Sequence, residues 1–344
     1  MKNRLAFILM GAACTVASAQ SSVTVFGVVD NAVQRIKNGD ESINGVASNG
    51  LTTSRIGFRG GEDLGDGLKA GFWLESGLNS DNGTQSDTKR FWNRRATVSL
   101  MDPKWGEIRL GRDLTPSYTA EFEFDPFEGN GVGSADKFQN PLGTTADTLF
   151  WADNLVAYYT PPGLGGFYGT LAAAAGEGTS GKKYYGGRIG FKGTSYHVTA
   201  ATAQTTVTPD ANGIDKYKYS VLSGSYDFTF MRLLGSWTQS KFGDLKLAVV
   251  NVGASIPLGS GRIRVGYAHV GASGRTASGV DTSNDDAHQV ALGYVYDLSK
   301  RTALYGTASR VSNKGGAAYL TGSTPTLQLG RDSTGYEAGM RYSF

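Results

Sequence analysis

Seven carboxylates share one stretch of this chain with a single lysine. Across the 40 residues from Leu114 to Asp153 stand Glu121, Glu123, Asp125, Glu128, Asp136, Asp147 and Asp153, against Lys137 alone. About half of such acids are simply solvated. The chemistry open to the rest is electrostatic: they can pair with bases brought to face them. Other reactive groups are few. A hydrolase needs a nucleophile, a base and an orienting group, and the only histidines are His197, His269 and His288. No G-x-S-x-G or H-E-x-x-H pattern accompanies them. Each falls within or at the end of a segment that reads as a strand, where an interfacial or rim position accounts for it. The one cysteine, Cys14, sits in the leader. No nucleotide-binding loop supplies an energy source. These features predict no catalytic centre, no cofactor and no metal.

The acids must be positioned by a fold, and the chain ends bear on which one. Lys2 and Arg4 precede an apolar run, Leu5 to Ala13, and an A-x-A site at Ala17-Ser18-Ala19. This reads as a secretory signal over 1–19, cleaved to leave Gln20 first. The run is shorter than the roughly 20 residues a spanning helix needs, and a lipoprotein cut before Cys14 would prefer Leu where Gly11 stands. The leader takes Cys14 with it, so an exported chain without disulfides is expected. It also takes two of the 33 basic side chains, against 30 acidic ones. That near-neutral balance does not suggest a nucleic-acid partner. At the other end Tyr336, Ala338, Met340, Tyr342 and Phe344 alternate with Glu337, Gly339, Arg341 and Ser343, a strand with one apolar face.

Composition points the same way. The chain is 40% hydrophobic, yet 38 residues are Phe, Trp or Tyr, and 49 are Gly. Beyond the leader no apolar run reaches 18 residues, and no long stretch has a convincing helical period. A closed transmembrane barrel satisfies such a chain: every backbone group pairs with a neighbouring strand, and only alternate side chains touch lipid.

Turn residues mark seven hairpins. Asp63–Gly67 joins Thr53–Glu62 to Leu68–Leu78, and Asp102–Gly106 joins Phe91–Met101 to Glu107–Asp113. Pro161–Gly165 joins Leu155–Tyr159 to Phe167–Ala175, and Lys192–Thr194 joins Tyr184–Phe191 to Ser195–Thr205. Asp227–Phe230 links two further strands. Pro257–Gly261 joins Leu247–Ile256 to Arg262–Val270, and Asp297–Lys300 joins Ala287–Tyr296 to Thr302–Val311. With an opening strand, Ser22–Val33, and a closing one, Thr334–Phe344, the pattern predicts an all-β, closed, 16-stranded antiparallel barrel. The tight turns should lie on the periplasmic side. Lys37–Gly50, Asn79–Thr88, Thr206–Lys216, Gly271–Asp285 and Ser312–Ser333 should be external loops. The acidic segment 114–153 is the third and longest of these, and a loop of that length is usually functional.

Alternation then sorts the bases. Arg55 and Arg59 oppose Ile56 and Phe58 in parity and should face inward; so should Asn93, Arg95, Thr97 and Ser99. Lys69 and Glu75 share the inward parity of the third strand. Arg94 has the wrong parity, unless it sits at the rim or a bulge turns it. Arg112, alternating with Ile108 and Leu110, should face outward.

Several stretches resemble the trimeric, sixteen-stranded general porins of Gram-negative outer membranes, most closely the beta-proteobacterial kind. They are Ser22-Val23-Thr24-Val25-Phe26-Gly27-Val28-Val29-Asp30, Ser54-Arg55-Ile56-Gly57-Phe58-Arg59-Gly60-Gly61-Glu62-Asp63-Leu64-Gly65 and Leu110-Gly111-Arg112. Pro161-Pro162-Gly163-Leu164-Gly165-Gly166-Phe167, Asp297-Leu298-Ser299-Lys300-Arg301-Thr302-Ala303-Leu304-Tyr305 and Phe344 complete the set. The resemblance implies passive diffusion of small hydrophilic solutes through a pore narrowed by the third loop. Glu121, Glu123, Asp125 and Glu128 would face a basic wall of Arg55, Arg59, Arg95, Arg112 and Lys69. It places Arg112 at the constriction against its parity. It also implies a homotrimer, contact with outer-membrane lipid and lipopolysaccharide, and Phe344 as the signal read by the barrel assembly machinery. Ala157 stands where such porins often carry another base, which thins the ladder and puts strong anion preference in doubt. The rival readings are an enzyme barrel, a barrel that anchors surface-binding loops, and a substrate- or anion-specific porin.

Overall fold

The computed structural model describes residues 22–276, 278–322, 326 and 328–344. The leader expected at 1–19, with its cleavage site and Cys14, lies outside the described residues.

In chain order the strands are β1 (Ser22–Asn38), β2 (Glu41–Ser48), β3 (Arg55–Gly65), β4 (Leu68–Asn79), β5 (Thr84–Gln85), β6 (Arg95–Asp102) and β7 (Gly106–Leu114). A short helix, α1 (Pro116–Phe122), and a 3₁₀ turn (Asp136–Phe138) interrupt the series. The strands resume with β8 (Trp151–Tyr159), β9 (Phe167–Ala174), β10 (Lys183–Lys192), β11 (Tyr196–Thr206), β12 (Lys216–Asp227) and β13 (Arg232–Phe242). They finish with β14 (Leu245–Leu258), β15 (Gly261–Ser273), β16 (Ala287–Asp297), β17 (Thr302–Asn313) and β18 (Ser333–Ser343). Sixteen of them form one closed antiparallel barrel, sealed where Val28–Asn38 of β1 pairs with Ser343–Ser333 of β18. The other two, β2 and β5, extend the wall outside the ring.

Local chemistry explains the seams. At the β3–β4 turn Asp66 and Gly67 both take positive φ, 53° and 88°, the backbone that a tight hairpin needs. Two of the expected loops carry structure of their own. Glu41–Ser48 folds back on the upper half of β1, which therefore runs to Asn38 rather than Val33. Thr84–Gln85 pairs with the end of β4. The strand expected from Phe91 begins only at Arg95, because Asn93 and Arg94 bond back to β4: Asn93 Oδ1 accepts from Gly77 N–H at 2.8 Å, and Arg94 N–H donates to Glu75 O at 3.2 Å.

The burial pattern is inverted relative to a soluble protein. Outward residues such as Ile189, Leu171 and Val33 are 70%, 67% and 68% exposed, an apolar surface that suits lipid. Inward residues are small or polar, such as Ala172, Ala201, Thr199 and Ser223.

Candidate functional site: a constriction inside the barrel

The connection between β7 and β8 folds into the barrel and packs along the inner face of β10–β18. Thr115 caps α1 by accepting from Tyr118 N–H, and Pro116 opens the helix with a preset φ. Asp125 folds the next turn by accepting from the N–H groups of Phe127, Gly129 and Ala135. Phe124, Phe127, Val132 and Phe138 are then driven into the wall, each at most 1% exposed. Phe127 lies under the Arg264 guanidinium, 4.7 Å from ring to carbon. The wall is cut back to receive the loop: a Cβ on Gly253 would sit 2.5 Å from Pro126 Cγ. Hydrogen bonds finish the seal. Val132 N–H donates to Glu337 Oε1 at 3.2 Å, Gln289 Nε2 to Gly133 O at 2.7 Å, and Tyr217 OH to Asn140 O at 3.0 Å.

What stays open is the other side of the lumen. A cavity of about 320 Å³ lies between the free edge of the loop and the wall of β3–β8. The wall contributes Arg55, Arg94, Arg95, Glu75, Asp113, Trp73 and Trp151; the loop contributes Tyr118, Phe122, Glu128 and Asn130. Glu75 anchors two bases, with Oε1 at 2.5 Å from Arg94 Nε and 3.6 Å from Arg55 Nε, while Oε2 accepts from Trp73 Nε1 at 3.0 Å. Asp113 holds Arg109 Nη1 at 2.6 Å and Arg95 Nε at 3.6 Å. Arg95 and Arg94 lie over the faces of Trp73 and Trp151, at 4.7 and 5.2 Å. These stacked, fork-shaped cations keep donor edges free, as an arginine can and a lysine cannot.

The expected site residues separate into four groups. Arg55 and Arg95 line the opening. Arg59 and Lys69 keep the inward parity but lie lower: Arg59, stacked on Trp73 and Phe26, is four residues from Arg55, about 13 Å along the strand. Lys69 is six residues below Glu75, about 20 Å, at the periplasmic mouth.

Arg112 requires a correction. It pairs opposite the outward Ala96, its guanidinium meets Asp153 Oδ1 at 2.5 Å and Asn93 O at 2.7 Å, and although it lies 5.8 Å from the Trp151 ring it does not itself line the opening. Simple alternation was right there. The bulge here lies on β8, where Leu155 to Ala152 oppose only Gly111 to Asp113, so β7 keeps its alternation, with Arg109 and Asp113 inward and Arg112 on the other side.

The loop acids require a second. Glu121 is buried against β12, accepting from Tyr219 OH at 2.5 Å and from Gln139 Nε2. Asp125 is spent on backbone N–H groups. Glu123 meets Arg188 of β10, at 2.5 Å, on the opposite side of the lumen. Only Glu128 lines the opening with the arginines, and most wall cations are matched by acids of their own wall. The cause is packing: the loop's apolar residues seat it against β10–β18 and carry the intervening acids with them. Phe344 closes the β1 edge, exchanging backbone bonds with Gly27 at 3.0 and 3.1 Å.

Some members were not foreseen. Arg94 reaches Glu75 because it precedes β6, so strand alternation does not bind it. Arg109 shares parity with Glu107 and was legible as inward. So was Arg188, flanked by outward Tyr185 and Ile189. With Lys192, His197, Arg232 and Glu123 it lines a second lumenal cavity of about 490 Å³. His197 therefore faces the lumen rather than the rim, bonded to Tyr168 OH at 2.8 Å.

Burial sets unusual proton affinities under the loop. Desolvation, then Asp136, pushes Glu121 up to about 8. Desolvation, then Asp125, raises Asp136 to about 7. Desolvation lowers Lys137 to about 8.

A closed antiparallel barrel with an apolar outer face and a charged lumen narrowed by its own loop is an outer-membrane channel. The chain belongs to the Gram-negative porin family, whose profile matches residues 6–316. It is 36% identical over 368 aligned positions, spanning 100% of both chains, to outer membrane porin protein 32 of Delftia acidovorans. An outer membrane porin protein of Bordetella pertussis is 30% identical over 91% of this chain and 94% of its own. The solved structure of an anion-selective porin from Comamonas acidovorans superposes with a TM-score of 0.82 at 35% identity, covering 94% of this chain and 100% of that one. The protein is thus an outer-membrane porin, and these relatives are channels rather than enzymes.

Proposed function

We propose that the 320 Å³ opening between the loop and the β3–β8 wall is the eyelet through which small hydrophilic solutes diffuse. The observation that carries this is its lining: Arg94 and Arg95 held on tryptophan faces, and Arg55 held with them by Glu75 and Asp113, facing Glu128 and Asn130. Wall acids compensate much of the wall charge, so width does most of the sorting and the arginines add a modest preference for anions. Arg59 and Lys69 extend the basic track toward the periplasm. A more anion-specific channel is supported by the second cavity, where Arg188, Lys192, His197 and Arg232 outnumber Glu123.

The same reading includes a cleaved leader over 1–19 and a homotrimer inserted by the barrel assembly machinery through Phe344. It includes contact with lipopolysaccharide, and histidines that serve structure rather than catalysis. Planar-bilayer recording across a salt gradient tests it. Large ohmic steps with a small anion-favouring reversal potential are expected. Folded protein that passes no current would overturn it.

A further inference from the structure

Two of the chain's three histidines meet on the outer face of the barrel. His269 of β15 stands directly opposite His288 of β16, and both share the outward parity of the exposed Tyr267 and Val290. Their rings stack with centroids 4.6 Å apart and planes 26° apart. Residues so opposed carry Cβ atoms about 5 Å apart, close enough for both rings to reach one ion. No spacing motif announces the pair, because strand register rather than sequence distance brings it together.

Aromatic packing accounts for the stacking but not for the nitrogens. Tyr267 OH bonds His288 Nδ1 at 2.8 Å, which fixes that ring and leaves Nε2 as its outer nitrogen. His269 Nδ1 is buried without a hydrogen-bond partner. His269 Nε2 lies 3.7 Å from the point where a Cβ on Gly271 would stand, and Asp286 Oδ1 lies 3.8 Å from that same point. Because Gly271 has no side chain, an imidazole and a carboxylate border one gap beside the second imidazole. Two imidazoles and a carboxylate suit a borderline divalent transition metal such as Zn²⁺, Cu²⁺ or Ni²⁺, whereas Ca²⁺ and Mg²⁺ prefer oxygen throughout. A metal on His288 Nε2 needs the proton on Nδ1, and Tyr267 OH is placed to accept it, the outer hydrogen bond that orients a ligating histidine. Among the described residues no three such groups already stand together at metal-binding distance. Asp286, which precedes the first residue of β16, must therefore turn in to join the pair.

The pair is also reachable. Val290, two residues below His288 on the outer face, stands directly opposite Arg310 of β17, which is exposed and meets Asp332 at 2.7 Å. Charged groups in the open at that level mark the end of the apolar band. The histidines, one step higher, face the external medium.

We propose that His269 and His288, completed by Asp286 and water, bind one divalent transition cation, Cu²⁺, Ni²⁺ or Zn²⁺, from outside, and that the ion staples β15 to β16. The test uses tag-free protein folded without its leader, which removes Cys14. Calorimetric titration with Cu²⁺ and with Zn²⁺ should give one site per chain, and electron paramagnetic resonance of the Cu²⁺ form should show coupling to two imidazole nitrogens. H269Q and H288Q should each lower affinity about tenfold or more, and D286N by a smaller factor. H197Q, which alters the lumenal histidine, should leave affinity unchanged. Zn²⁺ should raise the melting temperature of the wild type by mass action on the folded state, and Ca²⁺ at equal concentration should not. Unchanged single-channel conductance verifies that each variant is folded. A wild type without saturable binding overturns the proposal, as does binding that survives H269Q/H288Q. Loss of binding in H197Q overturns it too, since the ion would then lie in the lumen.

Discussion

The two halves of the barrel are built from the same alternating strands and do opposite things. Along β10–β18 the inward positions hold Ala201, Ala203, Val221, Tyr217 and Tyr219, all buried, and the third loop is sealed onto them. Along β3–β8 they hold Glu75, Arg95, Arg109 and Asp113, and the loop stays off them. A few inward side chains therefore decide where the hole lies. The apolar stretch of β11 and β12 takes the loop, while the charged stretches, β3–β8 and the Arg188–Lys192–Arg232 wall, keep water, because burying unmatched charge costs more than any gain from covering it.

That contrast can be broken from either side. The largest effect should come from R55E/R94E, which turns the open half acidic: the reversal potential should move to cation preference, read in a bilayer under a salt gradient. Next is Phe127→Ala on the sealed half. Removing a buried Phe costs about 3–5 kcal/mol of packing, so the loop should fluctuate and single-channel noise should rise, with heat stability in detergent falling.

The third is pH. Glu121 and Asp136 have folded pKa values raised above their free values, to about 8 and about 7. Their contribution is complete at acid pH and is lost as pH rises through those values. Lys137, lowered to about 8, runs the other way, its contribution lost as pH falls through 8. The acids lose their contribution between about pH 4 and 8, and the base acts only above 8, so the loop loosens as pH rises to about 8, with Asp125, Tyr118 and Tyr219 as the facing groups. Brief closures should grow more frequent over that range, and Glu121→Gln should flatten the trend. The smallest effect should be that of Arg112→Ala, which removes no residue lining the opening: the reversal potential should move far less than for Arg94→Ala.

Much of this was legible in the residues. The strand of Tyr336–Phe344 and the hairpin turns gave the architecture because strand geometry imposes a period of two. Arg55, Arg95 and Glu75 were placed by that same period. It failed where the backbone leaves it: Arg94 lies just before a strand and turns inward. At Arg112 the period held and the family resemblance misled, since the bulge lies on β8 and leaves the alternation of β7 intact. Loop acids carry no period at all. Which of Glu121, Glu123, Asp125 and Glu128 faces the pore depends on where Phe124 and Phe127 find apolar wall, and that is a property of packing against β10–β18 rather than of the loop.

The central claim is that solutes pass through the opening lined by Asn130, a loop-edge residue that bonds Thr53 of the wall at 2.9 Å on the rim of that opening. The most direct test is the single-channel current of Asn130→Cys, recorded before and after a bulky thiol reagent on protein folded without its leader. The account predicts that modification removes most of the current. A current unchanged by complete modification would place the pore elsewhere and contradict it.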